Sequence, residues 1–372
     1  IALRQALDLK GFFPNGKPNL KGYLDLVAVG TVADVVPLLG VNRILVREGL
    51  GVMTHSPRIG LAALKEICGI QSEKAVSSVD VAFRLAPRIN ALGRMQEADG
   101  GVHLLITDDA KEARDLAQIM NQENSQRQAM EQLMIKEIGE QLQDGLKIET
   151  KKSLVLGSET WHRGILGLVA SRLVEKWTRP VFLFTIEGET AHGSGRSIEG
   201  FNLFKGLEAL EEYLLAFGGH AAAAGATLKV LDLPAFEQAF EALVQNLVPD
   251  TALVPSLTVE GEVDFACLGK DIAPYLPRLA PFGSKNPEPV LATRQARVKS
   301  IRIVGNTLGS SRGPGHLRLK IEQNGTILDG IGFGLGNLNL HPGDFLDLAY
   351  TPFISEYGST PRLELRIKDI KC

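Results

Sequence analysis

The run GTVADVVPL, residues 30–38, sets one carboxylate, Asp34, among apolar side chains. Val32, Val35, Val36 and Leu38 predict the end of a buried β-strand, where an unpaired carboxylate is costly. An acid there is a cap, a satisfied core group or a metal ligand. Farther along, APRINALGRM (86–95) carries Arg88, Asn90 and Arg94 in an otherwise apolar setting. Two guanidinium groups so close together need anions. An internal ion pair with Asp34 or Asp99 is one answer, and a phosphate pocket is the other.

Three further strings hold donors at spacings that suit a polyanion. SETWHRGILG (158–167) places Trp161, His162 and Arg163 just ahead of a helix. A ring with two cationic or donor groups suits base stacking and phosphate contact, unless Trp161 only fills a core. AHGSGRSIEGFNLF (191–204) predicts Gly193, Gly195 and Arg196 between a strand and a helix that begins near Phe201. Its glycines let a backbone approach a ligand, Ser194 and Ser197 add hydroxyls, and Arg196 can grip a phosphate with two N–H groups. The same string is also what a flexible turn looks like. FGGHAAAAGATL (217–228) surrounds His220 with small residues, Gly218 and Gly219 among them. That histidine is either a satisfied core group or a donor to a phosphate or base.

These strings need elements to hold them. Residues 1 to about 105 alternate short apolar runs with helical patterns, which predicts an α/β layer with a parallel sheet. Ligands bind at the carboxyl ends of such strands, where Asp34 falls. Residues 108–142 read as one long helix whose middle, NQENSQRQ (121–128), is polar on every face. Such a helix bridges domains through solvent, or else is a surface helix with a solvated middle. Residues 148–250 read as a second α/β unit. Beyond them ATRQARVKSIRIV, HLRLKIEQNG, DFLDLAYTPF and PRLELRIKDI alternate with a period of two, which predicts an all-β barrel. Arg294, Arg297, Lys299, Arg302, Arg318, Lys320, Arg366 and Lys368 put cations on its strands. They form a solvated face or a groove that tracks single-stranded nucleic acid.

The totals narrow the classes. With 372 residues, 44% hydrophobic and 22% charged, the chain has room for two or three soluble domains. No apolar run approaches the roughly 20 residues of a membrane span. Cys68, Cys267 and Cys372 form no metal spacing, which fits reduced thiols in the cytoplasm. The net charge of −3 gives no global pull on nucleic acid, so binding needs a local basic face. The chain opens on Ile1 inside a helix-like pattern, the expectation for a fragment or processed product that lacks its N-terminal part.

Taken in order, GTVADVVPL, APRINALGRM, SETWHRGILGLVASRL, GSGRSI and GGHAAAAG resemble the RecJ family of single-strand-specific DNA exonucleases, within the DHH phosphoesterase superfamily. The resemblance implies an α/β fold in four parts: the C-terminal part of a DHH-type parallel-sheet domain (1–107), a connecting helix (108–147), a DHHA1-type nucleic-acid-binding domain (148–252) and a terminal OB-fold (253–372). It implies a hydrolase of DNA repair and recombination that cuts phosphodiester bonds from the 5′ end with two Mn²⁺ or Mg²⁺ ions. Asp34 takes the family's last metal-ligand position, and Arg88, Asn90 and Arg94 line the active cleft. Trp161, His162, Arg163, Ser194, Gly195, Arg196, Ser197, Gly218, Gly219 and His220 are the implied DNA contacts of the second domain. Arg297, Lys299, Arg318 and Lys320 are those of the barrel. Single-stranded DNA is the expected partner, with a single-strand-binding protein as a family-level companion, no membrane, and a monomer.

The family's Asp-x-Asp and Asp-His-His motifs do not occur in this sequence, so the polypeptide alone is expected to be inactive. Arg163 also stands where the family often has proline. Two alternatives stay open: a non-catalytic single-strand-binding protein, or a DHH phosphodiesterase of short oligonucleotides or cyclic dinucleotides.

Overall fold

The computed structural model describes residues 2–95, 99–143, 150–272, 275–305, 315–355 and 361–371. It divides into two compact units. One comprises Ile1–Ser56, Glu73–Ala82 and Leu257–Cys372, the other Pro57–Ser72 and Phe83–Ser256.

The helices run α1 (Ala2–Leu9), α2 (Leu24–Ala33), α3 (Gly40–His55), α4 (Ile59–Ile67), α5 (Ser78–Asp80), α6 (Ala86–Met95), α7 (Asp99–Ile106), α8 (Ala110–Gln143), α9 (Leu166–Trp177), α10 (Leu203–Glu208) and α11 (Leu233–Leu247). The strands are β1 (Leu154–Ser158), β2 (Val181–Glu187), β3 (Thr190–Arg196), β4 (Ala216–Gly219), β5 (Ala223–Lys229), β6 (Gly261–Glu262), β7 (Leu291–Val304), β8 (His316–Gln323), β9 (Thr326–Gly332), β10 (Phe345–Ser355) and β11 (Arg362–Lys371). The α/β class holds for the molecule, but its first 105 residues do not supply the expected parallel strands: among the described residues that stretch is helical.

The valine-rich run around residue 30 is α2, not a strand. Packing overrides its β-propensity. At Gly49 of α3 a Cβ would lie 2.1 Å from the Leu24 carbonyl oxygen and 2.7 Å from Ala28 Cβ, so α2 and α3 cross where both are small. Asp34 therefore closes a helix, and it is exposed rather than buried. The buried carboxylate of α2 is Asp25, in the first turn, where the helix dipole favours an anion. The chain after Asp34 is tied to the loop before the barrel. Leu38 N–H donates to the Ser284 carbonyl (2.8 Å), and Ser78 Oγ donates to the Phe282 carbonyl (2.6 Å).

β7, β8, β9, β11 and β10 close into a five-stranded barrel through the β10–β7 pairing, with β9 and β11 parallel. That is the OB-fold topology. β7 serves both neighbours: residues 291–297 pair with β10, residues 297–304 with β8, and a bulge between Val298 and Ser300 makes the bend. Leu317, Leu319, Ile321, Leu365, Ile367 and Tyr350 point into the barrel, as the alternation predicts.

In the second unit the sheet order is β1-β2-β3-β5-β4, with only β1–β2 parallel. One face packs Phe182 and Phe184 against Phe236 and Phe240 of α11. The other packs Val181 and Leu183 against α9 and the end of α8. The GSGR string lies inside β3, not in a turn. Its glycines leave room for aromatic rings: a Cβ at Gly193 or Gly195 would lie 2.4 Å from the ring of Phe184 or Phe182.

The long helix also departs from expectation. Its buried stripe runs Ala113, Ala117, Met120, Asn124, Arg127, Glu131, Met134 and Ile138, an unbroken alternation of four and three residues. The polar middle is part of the stripe, so α8 is packed along its length rather than bridging through solvent. Arg127 reaches Glu131 (3.1 Å) and Asn124 (3.0 Å), and Arg172 of α9 reaches the other oxygen of Glu131 (2.7 Å).

Candidate nucleic-acid interface

Asp34 stands at the carbonyl end of α2, its N–H bonded to the Gly30 carbonyl at 3.1 Å. A carboxylate there opposes the helix dipole by about 0.3–1 kcal/mol. The next residue, Val35, holds a φ of 55°, the left-handed region a β-branched side chain adopts at a cost of about 1–3 kcal/mol. Neither feature stabilises the helix. Asp34→Asn should therefore leave the denaturant midpoint unchanged or raised. A loss beyond about 1 kcal/mol would make Asp34 a structural acid and end its reading as a ligand.

In the α/β unit, the face of β3 opposite its glycines carries Ser194 and Arg196. The guanidinium folds back, Nη1 donating to Ser194 Oγ (3.2 Å) and to the Gly195 carbonyl (2.8 Å). It lies over the first turn of α9: a Cβ on Gly167 would sit 2.5 Å from Arg196 Nη2 and 3.0 Å from Ser194 Oγ. A guanidinium, a hydroxyl and a helix N-terminus thus meet, the set that binds a phosphate. Ser197 Oγ is committed elsewhere, donating to the Phe201 carbonyl at 2.7 Å. Gly167 belongs to a string the sequence singles out, but its role follows only from this contact.

Just ahead of α9, His162 and Arg163 are exposed, and His162 Nδ1 accepts from the Gly164 N–H (3.1 Å). Trp161 does not offer its ring for stacking. It is 3% exposed in the core under α8, and its Nε1–H donates to Glu137 at 2.9 Å. The β4–β5 hairpin pairs beside β3: Arg196 lies opposite Ala223, and Gly219 opposite Ala224. His220 is exposed at its tip, so it is no core histidine. Gly219 holds a φ of 141°, open to glycine alone at low cost.

Arg88 pairs with neither acid proposed for it. Its Nε donates to Asn121 Oδ1 of α8 (2.9 Å) and its Nη1 to the Arg84 carbonyl (2.7 Å). Asn90 is exposed on the same helix, and the side chain of Arg94 lies outside the described residues. α6 and α8 both pack against the Arg163–Ile165 turn, which brings this helix to the loop of His162 and Arg163.

The barrel's cations are in part internally paired: Arg318 with Glu364, Lys299 with Glu322, Arg294 with Glu262 and Arg366 with Glu288. Strand register still makes a row across the outer face, Arg302 opposite Arg318, Arg318 opposite Ile331, and Ile331 opposite Arg366. Lys320 is one step along, and Arg297 lies opposite Glu322. Aromatic groups flank the row. Arg366 covers the Phe353 ring at 5.0 Å, and His316 meets Phe333, itself 57% exposed. A cleft of about 850 Å³ beside it is lined by Phe333, Arg366 and Phe282 together with α3. Phe333 joins the face only in the structure, while Arg302 and Arg366, already candidates as strand cations, are aligned with Arg318 by the register.

Comparison with known proteins places these surfaces in context. A family profile for the RecJ OB domain matches residues 259–369, and one for the DHHA1 domain matches residues 150–246. The single-stranded-DNA-specific exonuclease RecJ of Bacillus subtilis (strain 168) is 35% identical over 355 residues, 93% of this chain and 43% of that protein. That of Escherichia coli (strain K12) is 35% identical over 389 residues, 100% of this chain and 65% of that protein. The chain therefore spans roughly half to two thirds of these relatives. The crystal structure of RecJ from Thermus thermophilus with Mg²⁺ superposes with a TM-score of 0.83 at 32% identity, covering 100% of this chain and 54% of that one. The Mn²⁺ complex from the same organism gives 0.82 at 31%, covering 100% and 52%.

Proposed function

The chain belongs to the RecJ family, and from that premise we propose that it serves 5′→3′ exonucleolytic hydrolysis of single-stranded DNA, its described residues supplying the grip on the strand. The observation that carries the reading is the cluster of Ser194, Arg196 and the α9 N-terminus. There Arg196 forks onto the 5′ phosphate, Ser194 donates its hydroxyl, and the helix end favours the negative charge. His162, Arg163 and His220 hold the following phosphates, and Arg88 and Asn90, on the helix packed against the Arg163–Ile165 turn, face the strand beside them. On the barrel, Arg302, Arg318, Lys320 and Arg366 follow the backbone while Phe333 offers a ring to a base.

Mn²⁺ or Mg²⁺ is the cofactor of this reading, as the metal complexes of the Thermus relative support. Among the described residues no three His, Cys, Asp or Glu side chains gather into a metal site. Asp34 can supply one ligand, and a single carboxylate does not hold an ion by itself. No helix among the described residues is long and apolar enough to cross a membrane. The reading places the chain in the cytoplasm, as a monomer in DNA repair and recombination, beside a single-strand-binding protein.

The test is binding of a 5′-labelled single strand of about 20 nucleotides at two salt concentrations, with Mn²⁺ present and cleavage followed in parallel. Six arginine and lysine contacts to phosphate predict that affinity falls about 300-fold between 50 and 200 mM salt. Salt-insensitive binding, or none, overturns the reading. Equal affinity for a dinucleotide would favour the short-oligonucleotide alternative, for which the barrel face has no use.

A further inference from the structure

Glu137 lies on α8, in none of the strings that point to DNA, yet its carboxylate gathers the loop that carries two of the DNA-facing residues. Oε2 accepts from Trp161 Nε1–H (2.9 Å) and lies 3.4 Å from Thr160 Oγ1, and Oε1 lies 3.4 Å from Ser158 Oγ. The Ser158 and Thr160 hydroxyls lie 2.8 Å apart, so one donates to the other and the second donates to the carboxylate. The Trp161 carbonyl accepts from Thr185 Oγ1 of β2 (2.9 Å), so the residue before His162 is held from both sides. His162 and Arg163 follow directly on this anchored residue, with their own side chains exposed while the indole is buried.

We propose that Glu137 is a positioning residue for strand binding, acting through Trp161 to hold the turn of His162 and Arg163 against the N-terminus of α9. The proposal rests on the strand-gripping reading above. Without Glu137 the buried indole N–H loses its acceptor, and the ring is released from the helix that locates it. Gln at this position keeps an acceptor oxygen, so it restores the anchor while removing the charge.

The experiment measures single-strand affinity for the wild-type chain, Glu137→Ala, Glu137→Gln, Arg163→Ala and the Glu137→Ala/Arg163→Ala double variant. Trypsin cleavage after Arg163 is followed in each chain that retains that residue. Glu137→Ala should bind about fivefold more weakly, with Glu137→Gln close to wild type and the losses in the double variant less than additive, since only the His162 contact is left for Glu137→Ala to disturb. Cleavage after Arg163 should be about tenfold faster in Glu137→Ala, because the turn opens locally. Additive losses in the double variant, or unchanged cleavage, would overturn the proposal. A wild-type chain that binds no strand overturns the strand-gripping reading instead, while the cleavage rate still decides whether the anchor exists. Glu137→Gln behaving like Glu137→Ala in both assays would mean that the charge, not the anchored indole, is what counts, and the proposal falls.

Discussion

Replacing Arg196 with Ala should weaken binding of a 5′-phosphorylated single strand about 30-fold, with the fold intact, since a charge-assisted hydrogen-bond pair to phosphate contributes about 2 kcal/mol. The guanidinium is already fixed by Ser194 Oγ and the Gly195 carbonyl, so little freedom remains to be lost when the phosphate arrives. Gly167→Ala gives the sharper version. Its Cβ would fall 2.5 Å from Arg196 Nη2, the far end of a flexible side chain, so the guanidinium moves and the helix stays. Alanine within a helix is favoured over glycine by about 1 kcal/mol. Gly167→Ala is therefore expected to hold or raise the melting temperature while lowering affinity for the phosphorylated strand. Affinities for 5′-phosphate and 5′-hydroxyl strands, set beside thermal melts, decide the matter. If both variants weaken the two strands equally, Arg196 touches the strand but does not read its end. If Gly167→Ala binds like wild type, the phosphate lies elsewhere.

Much of this site could be read from residue types, and the failures share a cause. The barrel and the helices α9 and α11 announce themselves because each buries one face, and the apolar residues repeat at the matching period. The run around Asp34 misleads because α2 is apolar nearly all round, and a short apolar run has no period to separate strand from helix. Trp161 reads as a stacking ring because its polar partner, Glu137, is 24 residues away in sequence. Gly193 and Gly195 read as a loop because nothing local tells that two phenylalanine rings of β2 need their space. In each case the missing fact is a neighbour distant in sequence. The basic row of the barrel is of the same kind: its cations are visible in the sequence, but their alignment depends on register.

The stripe of α8 departs differently, because its spacing is regular and only its chemistry is unexpected. Asn124, Arg127 and Glu131 occupy positions that Ala, Met and Ile fill on either side. Glu131 is 1% exposed and takes both Arg127 and Arg172. Glu131→Ala should cost about 3 kcal/mol, because it takes an ionic partner from a guanidinium that is itself buried. That is a large part of the roughly 5–15 kcal/mol that holds a domain together. The expected observation is a lower denaturant midpoint with an unchanged slope. The triple variant Asn124→Leu, Arg127→Leu, Glu131→Leu should behave otherwise. It continues the apolar stripe and removes all three desolvation costs, while Arg172, its side chain 52% exposed, turns to water. Its stability should equal or exceed that of the wild type. A triple variant as unstable as Glu131→Ala would show that the ionic cluster itself stabilises the helix.

If the triple variant is stable, the polar stripe serves another end, and register is the candidate. An apolar stripe lets α8 settle one turn up or down against α9, whereas Glu131 meets Arg172 in one place only. The position of α9 sets Gly167 beneath Arg196, and Glu137, farther along α8, holds the Trp161 loop. A stable triple variant is thus expected to bind the phosphorylated strand less tightly, having kept the energy of the contact between α8 and α9 and lost its specificity. Undiminished binding in that variant would separate the polar stripe from strand recognition altogether.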